Sequence, residues 1–271
     1  MFDSTLIESG TEMQVVDLPE DAEFLARQTR PRAMSTEVSG LRRLAHIFAA
    51  TPNRILHELV EVSMEICGAA SAGITLEEHF AEGEAQFRWI ATAGQYEGFM
   101  GAVLPRLYSP CGTCLDRGQP QLFRVPRAYL AMIGVDAPPV TDGILIPWQV
   151  EGTRGTIWVL AHGPYQWFDR EDYRILKALS DFAAIAIRHQ RQQEAILRKA
   201  AAEAAAAMAH RLAHQINNPL QSLMQTVFLA GQGGEKAEVF EEQAMNDLIK
   251  LSELVKRLLD LSNDVSPSKP A

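Results

Sequence analysis

Toward the C-terminal end the chain reads Leu212-Ala213-His214-Gln215-Ile216-Asn217-Asn218-Pro219-Leu220. A neutral imidazole is a nucleophile at physiological pH. Pro219 removes a backbone donor and, inside a helix, costs about 3 kcal/mol. Asn is a mediocre helix former beside it. Packing gives no reason for Asn-Asn-Pro in a segment otherwise made of strong helix formers, so the proline is expected to bend the helix beside a nucleophile. His210 and His214 stand four residues apart, a spacing that can ligate a metal. No third ligand is evident, so a solvated pair and no metal are expected. Farther upstream, Cys111 and Cys114 form a CxxC at the expected start of a helix, where a thiol pKa would fall. They are a candidate redox pair. Packing of a loop is the favoured alternative, because no thioredoxin-like context surrounds them. Cys67 lies on an apolar helical face and reads as buried and inert.

These groups need elements to hold them. Residues 1–38 are poor in apolar side chains, and TRPRAMSTEVSG has no period. They read as a leader, disordered or partly helical, with a short helix at AEFLARQ. Residues 39–190 alternate helix and strand. LRRLAHIFAA and NRILHELVEVSMEICGA carry helical spacing, with Ile55, Leu59, Val62 and Ile66 on one face. AGITLEEH and QFRWIATAG read as strands joined by the turn AEGEA. In GILIPWQVEGTRGTIWVLAHG, Ile144, Ile146, Trp148 and Val150 alternate, EGTRG turns, and Ile157, Val159 and Ala161 alternate back. The stretch between the strand pairs, 98–134, reads as loops with short helices. DREDYRILKALSDFAAIAIRHQ is a helix capped by Asp169. Trp89, Trp148 and Trp158 are core candidates rather than a ligand cage. The order is that of an α+β domain with an antiparallel sheet flanked by helices.

From 191 to 265 the chain is helical. Ala209, Ala213, Ile216, Leu220, Leu223, Val227 and Ala230 step by four and three, the signature of a coiled-coil seam. GQGGEK breaks the helix. A second helix follows, with a seam through Met245, Leu248, Val255 and Leu258 or Leu259. Two such helices make an antiparallel hairpin that cannot cover its own apolar stripes. A homodimer closing a four-helix bundle is therefore expected. On that seam His214 points to solvent. Residues 266–271 are a flexible tail.

The HQINNP segment resembles the phosphoacceptor box of sensor histidine kinases, and residues from about 200 to 263 resemble their dimerisation and histidine-phosphotransfer hairpin. The resemblance implies that His214 is the phosphoacceptor, Asn218 the group that positions water in dephosphorylation, and Pro219 the helix bend. The family carries a carboxylate after the histidine. Gln215 stands there instead. It can orient the ring but cannot take a proton. The chain carries no P-loop and no ATP-binding segment after the hairpin, so phosphate is expected from a separate kinase or ATPase subunit, or by exchange with a response-regulator receiver domain.

Residues 39–190, through SPCGTCLDRGQPQLF, ILIPWQVEGTRGTIWVLAH and FDREDYRILKALSDFAAIAI, resemble a GAF domain, a sensor that commonly precedes such hairpins. This implies a small-molecule pocket between the sheet and residues of about 99–140, with an unknown ligand. Neither Cys111 nor Cys114 is followed by His, so no bilin and no other cofactor is expected. A non-catalytic dimerisation or binding module that sequesters a response regulator or pairs with a full kinase is the alternative reading. A thiol reductase, similar to the free methionine sulfoxide reductases, is a third.

Composition narrows the classes further. Twenty-five basic residues against 34 acidic give a net charge of −9. Phosphate backbones and anionic membranes repel such a chain, and its basic residues form no patch, so neither nucleic acid nor membrane is an expected partner. Three cysteines are too few for a disulfide framework, and the acidic N-terminus lacks a signal peptide's features. A cytoplasmic, reduced protein is the expectation.

Overall fold

A computed structural model describes residues 6–7, 13–79, 85–107, 109–132, 134–163, 167–231 and 237–264. Eight strands form one antiparallel sheet: β1 (Leu6–Ile7), β2 (Gln14–Asp17), β3 (Ser71–His79), β4 (Ala85–Gly94), β5 (Val103–Pro105), β6 (Gln121–Val125), β7 (Val140–Val150) and β8 (Thr153–Ala161). Their spatial order is β1-β2-β6-β7-β8-β3-β4-β5. Helices α1 (Ala22–Leu25), α2 (Met34–Ala50), α3 (Ile55–Cys67), α4 (Pro110–Arg117) and α5 (Arg127–Met132) surround the sheet, followed by α6 (Arg170–Gly231) and α7 (Ala237–Asp264). The chain divides into two units, with the boundary after Gln193, inside α6.

The β7–β8 hairpin shows how the sheet is built. Ile144 faces Val159 and Ile146 faces Ile157 across the strands. The turn is only Glu151-Gly152, with φ of 47° and 76°. Two positive φ values suit the twist of the flanking strands, so Thr153 already belongs to β8. Ile144, Ile146, Trp148, Ile157, Val159 and Ala161 pack against Leu59, Val62, Ile66, Leu176, Leu179 and Ala183, which come from α3 and the first turns of α6. The intervening residues are buried too. Leu145, Trp158 and Leu160 face a second core with Trp89, Tyr96, Cys114, Phe123 and Tyr129. Alternation therefore reports one face of a sheet that is covered on both.

Asp169 caps α6, accepting from the backbone N–H of Glu171 at 2.8 Å, while Asp172 accepts from the N–H of Asp169 at 2.9 Å. This is a reciprocal capping box.

The leader and the 98–134 stretch depart from expectation. From Met13 onward the leader belongs to the sheet unit: β2 pairs with β6, and Met13, Val15, Leu18 and Phe24 are buried. Its arginines are tied down. Arg27 reaches Asp142 at 2.8 Å, Arg30 reaches Asp172 at 2.9 Å, and Arg32 reaches Asp169 at 2.9 Å. The partners lie more than one hundred residues away in sequence, where no local pattern announces them. In 98–134, QLFRV is the sheet strand β6, held between Pro120 and Pro126, and Val103–Pro105 forms the edge strand β5. The turn at 81–84, residues 232–236 of the expected break and the tail from 265 lie outside the described residues.

In the second unit each helix carries a stripe of lowered exposure: Leu212, Ile216, Pro219 and Leu223 on α6, with Thr226 buried, and Phe240, Ala244, Leu251 and Leu254 on α7, with Asp247 buried. The expected α6 seam coincides with this stripe only at Ile216 and Leu223. Ala209, Ala213, Leu220, Val227 and Ala230 are exposed, as are Met245, Leu248 and Val255 of α7. Two apolar stripes run side by side, and periodicity alone does not choose between them. The side chains of Leu258 and Leu259 lie outside the described residues.

Candidate functional site

His214 is exposed on α6, and so are Gln215 and Asn218. At 100° per residue, His214 sits roughly 160° around the helix from Ile216, on the side away from the shielded stripe. His214 Nε2 lies 3.1 Å from His210 Nε2, with the rings edge-to-face at a centroid separation of 4.5 Å. For this contact to be a hydrogen bond one nitrogen must donate and the other accept, and the tautomers decide which. Helix α6 runs through Pro219 without interruption. The proline cannot donate to the carbonyl four residues back, so the carbonyl of Gln215 loses its helical donor. His214, Gln215, Asn218 and Pro219 are thus gathered within two helical turns, three of them open to solvent. Among the described residues, no group of three or more His, Cys, Asp and Glu could hold a metal ion, and no helix is long and apolar enough to cross a membrane.

Cys111 and Cys114 sit where the sequence places them, at the start of α4, which Ser109 caps by accepting from Gly112 N–H at 3.0 Å. Their surroundings do not lower the thiol pKa as the redox alternative requires. Thr156 donates to Cys111 Sγ at 3.3 Å, and Thr156 and Thr75 share a hydroxyl contact at 2.6 Å. Burial pushes the Cys111 thiol up, and those hydrogen bonds only partly offset it. Burial pushes Cys114 higher still, with the charge of a neighbouring Cys111 thiolate adding to the shift. Desolvation outweighs the helix terminus, so neither thiol is activated. Cys67 is buried, as expected, and burial raises its thiol well above the ordinary value.

Cys111 also lines a cavity of about 70 Å³ on the second core's side of the sheet, together with Trp89, Trp158, Phe123, Tyr129, Leu130 and Leu145. Its lining comes from the sheet and from Ser109, Pro110, Cys111, Tyr129 and Leu130 of the stretch above it. Helix α4 is fixed over the sheet by an ion network beside it. Arg106 Nε donates to Glu77 at 2.6 Å and its Nη1 to Asp116 at 3.1 Å, and Arg154 Nη2 donates to Glu77 at 3.1 Å. Burial pushes the Glu77 carboxyl up, but the arginine hydrogen bonds outweigh it and hold the group below its ordinary value. Sequence reading missed this network. Its members come from β3, the β5–α4 loop, α4 and β8, and nothing local links them.

A family model described as "GAF domain" matches residues 49–188. No curated protein matches the chain. Solved structures similar to it include the GAF domain of a phosphoenolpyruvate-protein phosphotransferase from Coxiella burnetii, 18% identical with a TM-score of 0.47, covering 59% of this chain and 98% of that one. The phycoerythrobilin-bound GAF domain of a cyanobacterial phytochrome is 12% identical with a TM-score of 0.44, covering 60% and 100%. Free methionine-R-sulfoxide reductase from Neisseria meningitidis, in complex with its substrate, is 15% identical with a TM-score of 0.44, covering 62% and 99%.

Proposed function

This chain belongs to the GAF domain family, and from that premise we propose that it is a two-component signalling protein whose GAF sensor governs a histidine phosphoacceptor on a helical hairpin. The observation that carries the reading is the exposed imidazole of His214 on the side of α6 away from its shielded stripe, with Asn218 one turn along and Pro219 beside it. In the transfer step a lone pair on the His214 ring attacks the phosphorus of an aspartyl phosphate on a receiver domain. The P–O bond to that carboxylate breaks, a P–N bond forms, and the carboxylate leaves. The ring then sheds its remaining N–H proton to solvent or to His210. A separate kinase subunit holding ATP would serve equally as donor. Asn218 positions the water that returns the phosphoryl group to phosphate.

The hairpin acts as a homodimer in this reading. Leu220, Met224, Val227 and Phe228 on α6 and Met245, Leu248, Ile249 and Val255 on α7 are each between 42% and 72% exposed. An apolar surface this continuous is expected to be covered by a second copy. A non-catalytic binding module remains the second reading, favoured by Gln215, whose amide cannot accept the proton that a carboxylate would. The raised thiols argue against the reductase reading.

Receiver domains labelled with radioactive acetyl phosphate provide the test. Transfer of an acid-labile, base-stable label to the wild-type chain and to His210→Ala, but not to His214→Ala, is the expected result. A chain that binds a receiver tightly yet never acquires label establishes the second reading instead.

A further inference from the structure

The cavity beneath α4 and α5 is kept open by two aromatic rings that lie down. Trp158 pairs with Gly73 across β8 and β3, and Phe123 pairs with Gly143 across β6 and β7. A Cβ on Gly73 would run into the Trp158 ring, and one on Gly143 would come within 2.6 Å of the Phe123 ring. Neither glycine has a positive φ. Backbone conformation therefore does not demand them, and a strand glycine otherwise only weakens a sheet. Their effect is to let both rings fold flat onto the strand beside them. A ring lying flat cannot stand up and fill the space above it.

The space so preserved is uncharged. Among the described residues, no Asp, Glu, Lys, Arg or His lines it. The Tyr96 hydroxyl is taken up by the Pro138 carbonyl at 2.9 Å. The arginines around α4 are also committed, Arg106 to Glu77 and Asp116, Arg154 to Glu77, and Arg88 to Glu78 at 2.9 Å. A phosphate or carboxylate entering here would lose its water with no cation among the described lining residues to replace it, a penalty of several kcal/mol. Size sets a second limit. A volume of about 70 Å³ lies between the ~30 Å³ share of one water and the ~150 Å³ that accepts benzene in an engineered core.

From these observations, and resting on the reading of the GAF domain as a sensor, we infer that its ligand is a small uncharged apolar molecule, smaller than a benzene ring, held between the flattened Trp158 and Phe123 rings and α5. Nucleotides, tetrapyrroles and zwitterionic amino acids are excluded by charge, size or both.

The test uses the full chain with dichloromethane as probe, acetate as a small charged match and benzene as the oversized match. Binding is followed by calorimetry and by tryptophan emission, since Trp89 and Trp158 line the site. Dichloromethane is expected to bind saturably, acetate at least 100-fold more weakly and benzene at least 10-fold more weakly. Gly143→Ala, which drives the Phe123 ring upward, should weaken dichloromethane at least 10-fold. Leu130→Phe fills the cavity from α5 without changing a residue of the sheet and should do the same if the glycine variant fails to fold. Absence of saturable dichloromethane binding, equal binding of acetate, or wild-type affinity in folded filled variants overturns the inference. His214→Ala separates the two readings. It should bind dichloromethane like the wild type, so a chain that binds dichloromethane but never takes phosphate sinks only the phosphotransfer reading. One that takes phosphate but never binds dichloromethane sinks only the ligand assignment.

Discussion

The two units treat apolar side chains in opposite ways. In residues 13–193 the large side chains are packed on both faces of a sheet, with Ile144, Leu145 and Ile146 in consecutive positions all fully buried. Charges within it are paired across long sequence distances, as Arg27 with Asp142. In residues 194–264 the proportions reverse. Met224 is 72% exposed and Phe228 67%, and the ion pairs are short-range ones such as Arg198 with Glu194. The first unit encloses a two-sided core and leaves exposed apolar side chains such as Met34 and Leu107 outside it, whereas the second has little enclosed core and displays most of its apolar surface. The proposed function would use both properties: a sensor has to hold its shape around a ligand, while a phosphotransfer element has to be reached and covered by others.

The comparison breaks most sharply at Asp142. It is fully buried, accepts from Arg27 and from the N–H of Phe168, and Asp142→Ala would strand the Arg27 guanidinium. Loss of one member of a buried pair costs about 3–5 kcal/mol, which urea unfolding of the sheet unit should show. If the loss is under ~1 kcal/mol, the strap formed by residues 27–32 is not part of the fold's stability.

Next comes the helical unit. Val227→Glu combined with Leu248→Glu should weaken self-association at least 100-fold by light scattering and sedimentation, with the melting of the sheet unit unchanged. A wild-type chain that is monomeric at high concentration would remove the contrast between self-sufficient and partner-seeking units.

Thiol titration gives a smaller but clean effect. Because burial raises all three thiols, the folded chain should react with a disulfide reagent at least 10-fold more slowly than the urea-unfolded chain, in which all three cysteines react. Rapid labelling of Cys111 alone in the folded chain would revive a redox role.

The smallest effect concerns pH. Arginine hydrogen bonds hold Glu77 and Asp116 below their ordinary values when folded. Their contribution is therefore complete above the unfolded carboxylate range and is lost as pH falls from about 5 through the depressed folded values. Glu77→Gln should flatten the acid limb of the stability curve. Asp172, which burial pushes up, acts in the opposite sense, so the comparison is variant against wild type rather than an absolute slope. An unchanged acid limb would show that the network over α4 adds nothing.

Much of the sheet unit could be read from local pattern. Ile144, Ile146, Trp148, Ile157 and Val159 alternate, and their partners in the register are those the hairpin requires. Ile55, Leu59, Val62 and Ile66 repeat at helical spacing and are buried. Asp169 precedes a helix as a cap should. β6 escaped notice because the flanking prolines looked like loop, although they only bound a short strand. The candidate site was legible at His214, Gln215, Asn218 and Pro219, which one helix holds close together whatever surrounds it. Cys111 and Cys114 were legible as a helix start, with packing the favoured reading over a redox pair; what raises their thiols was not, since desolvation depends on Thr75, Thr156 and the sheet beneath them.

What the residues determine by themselves is spacing along an element: alternation, heptad steps, caps, and an imidazole placed one turn from a carboxamide. These follow from fixed backbone geometry, 3.6 residues per helical turn and two per strand repeat. Tertiary structure alone decided what lies across the gap. It buried the second face of the sheet, tied Arg27, Arg30 and Arg32 to carboxylates from 115 to 142 residues away, shielded one of two adjacent stripes on α6, and laid Trp158 and Phe123 flat on glycines of neighbouring strands. Those outcomes depend on packing and desolvation between groups distant in sequence, and no local period encodes them.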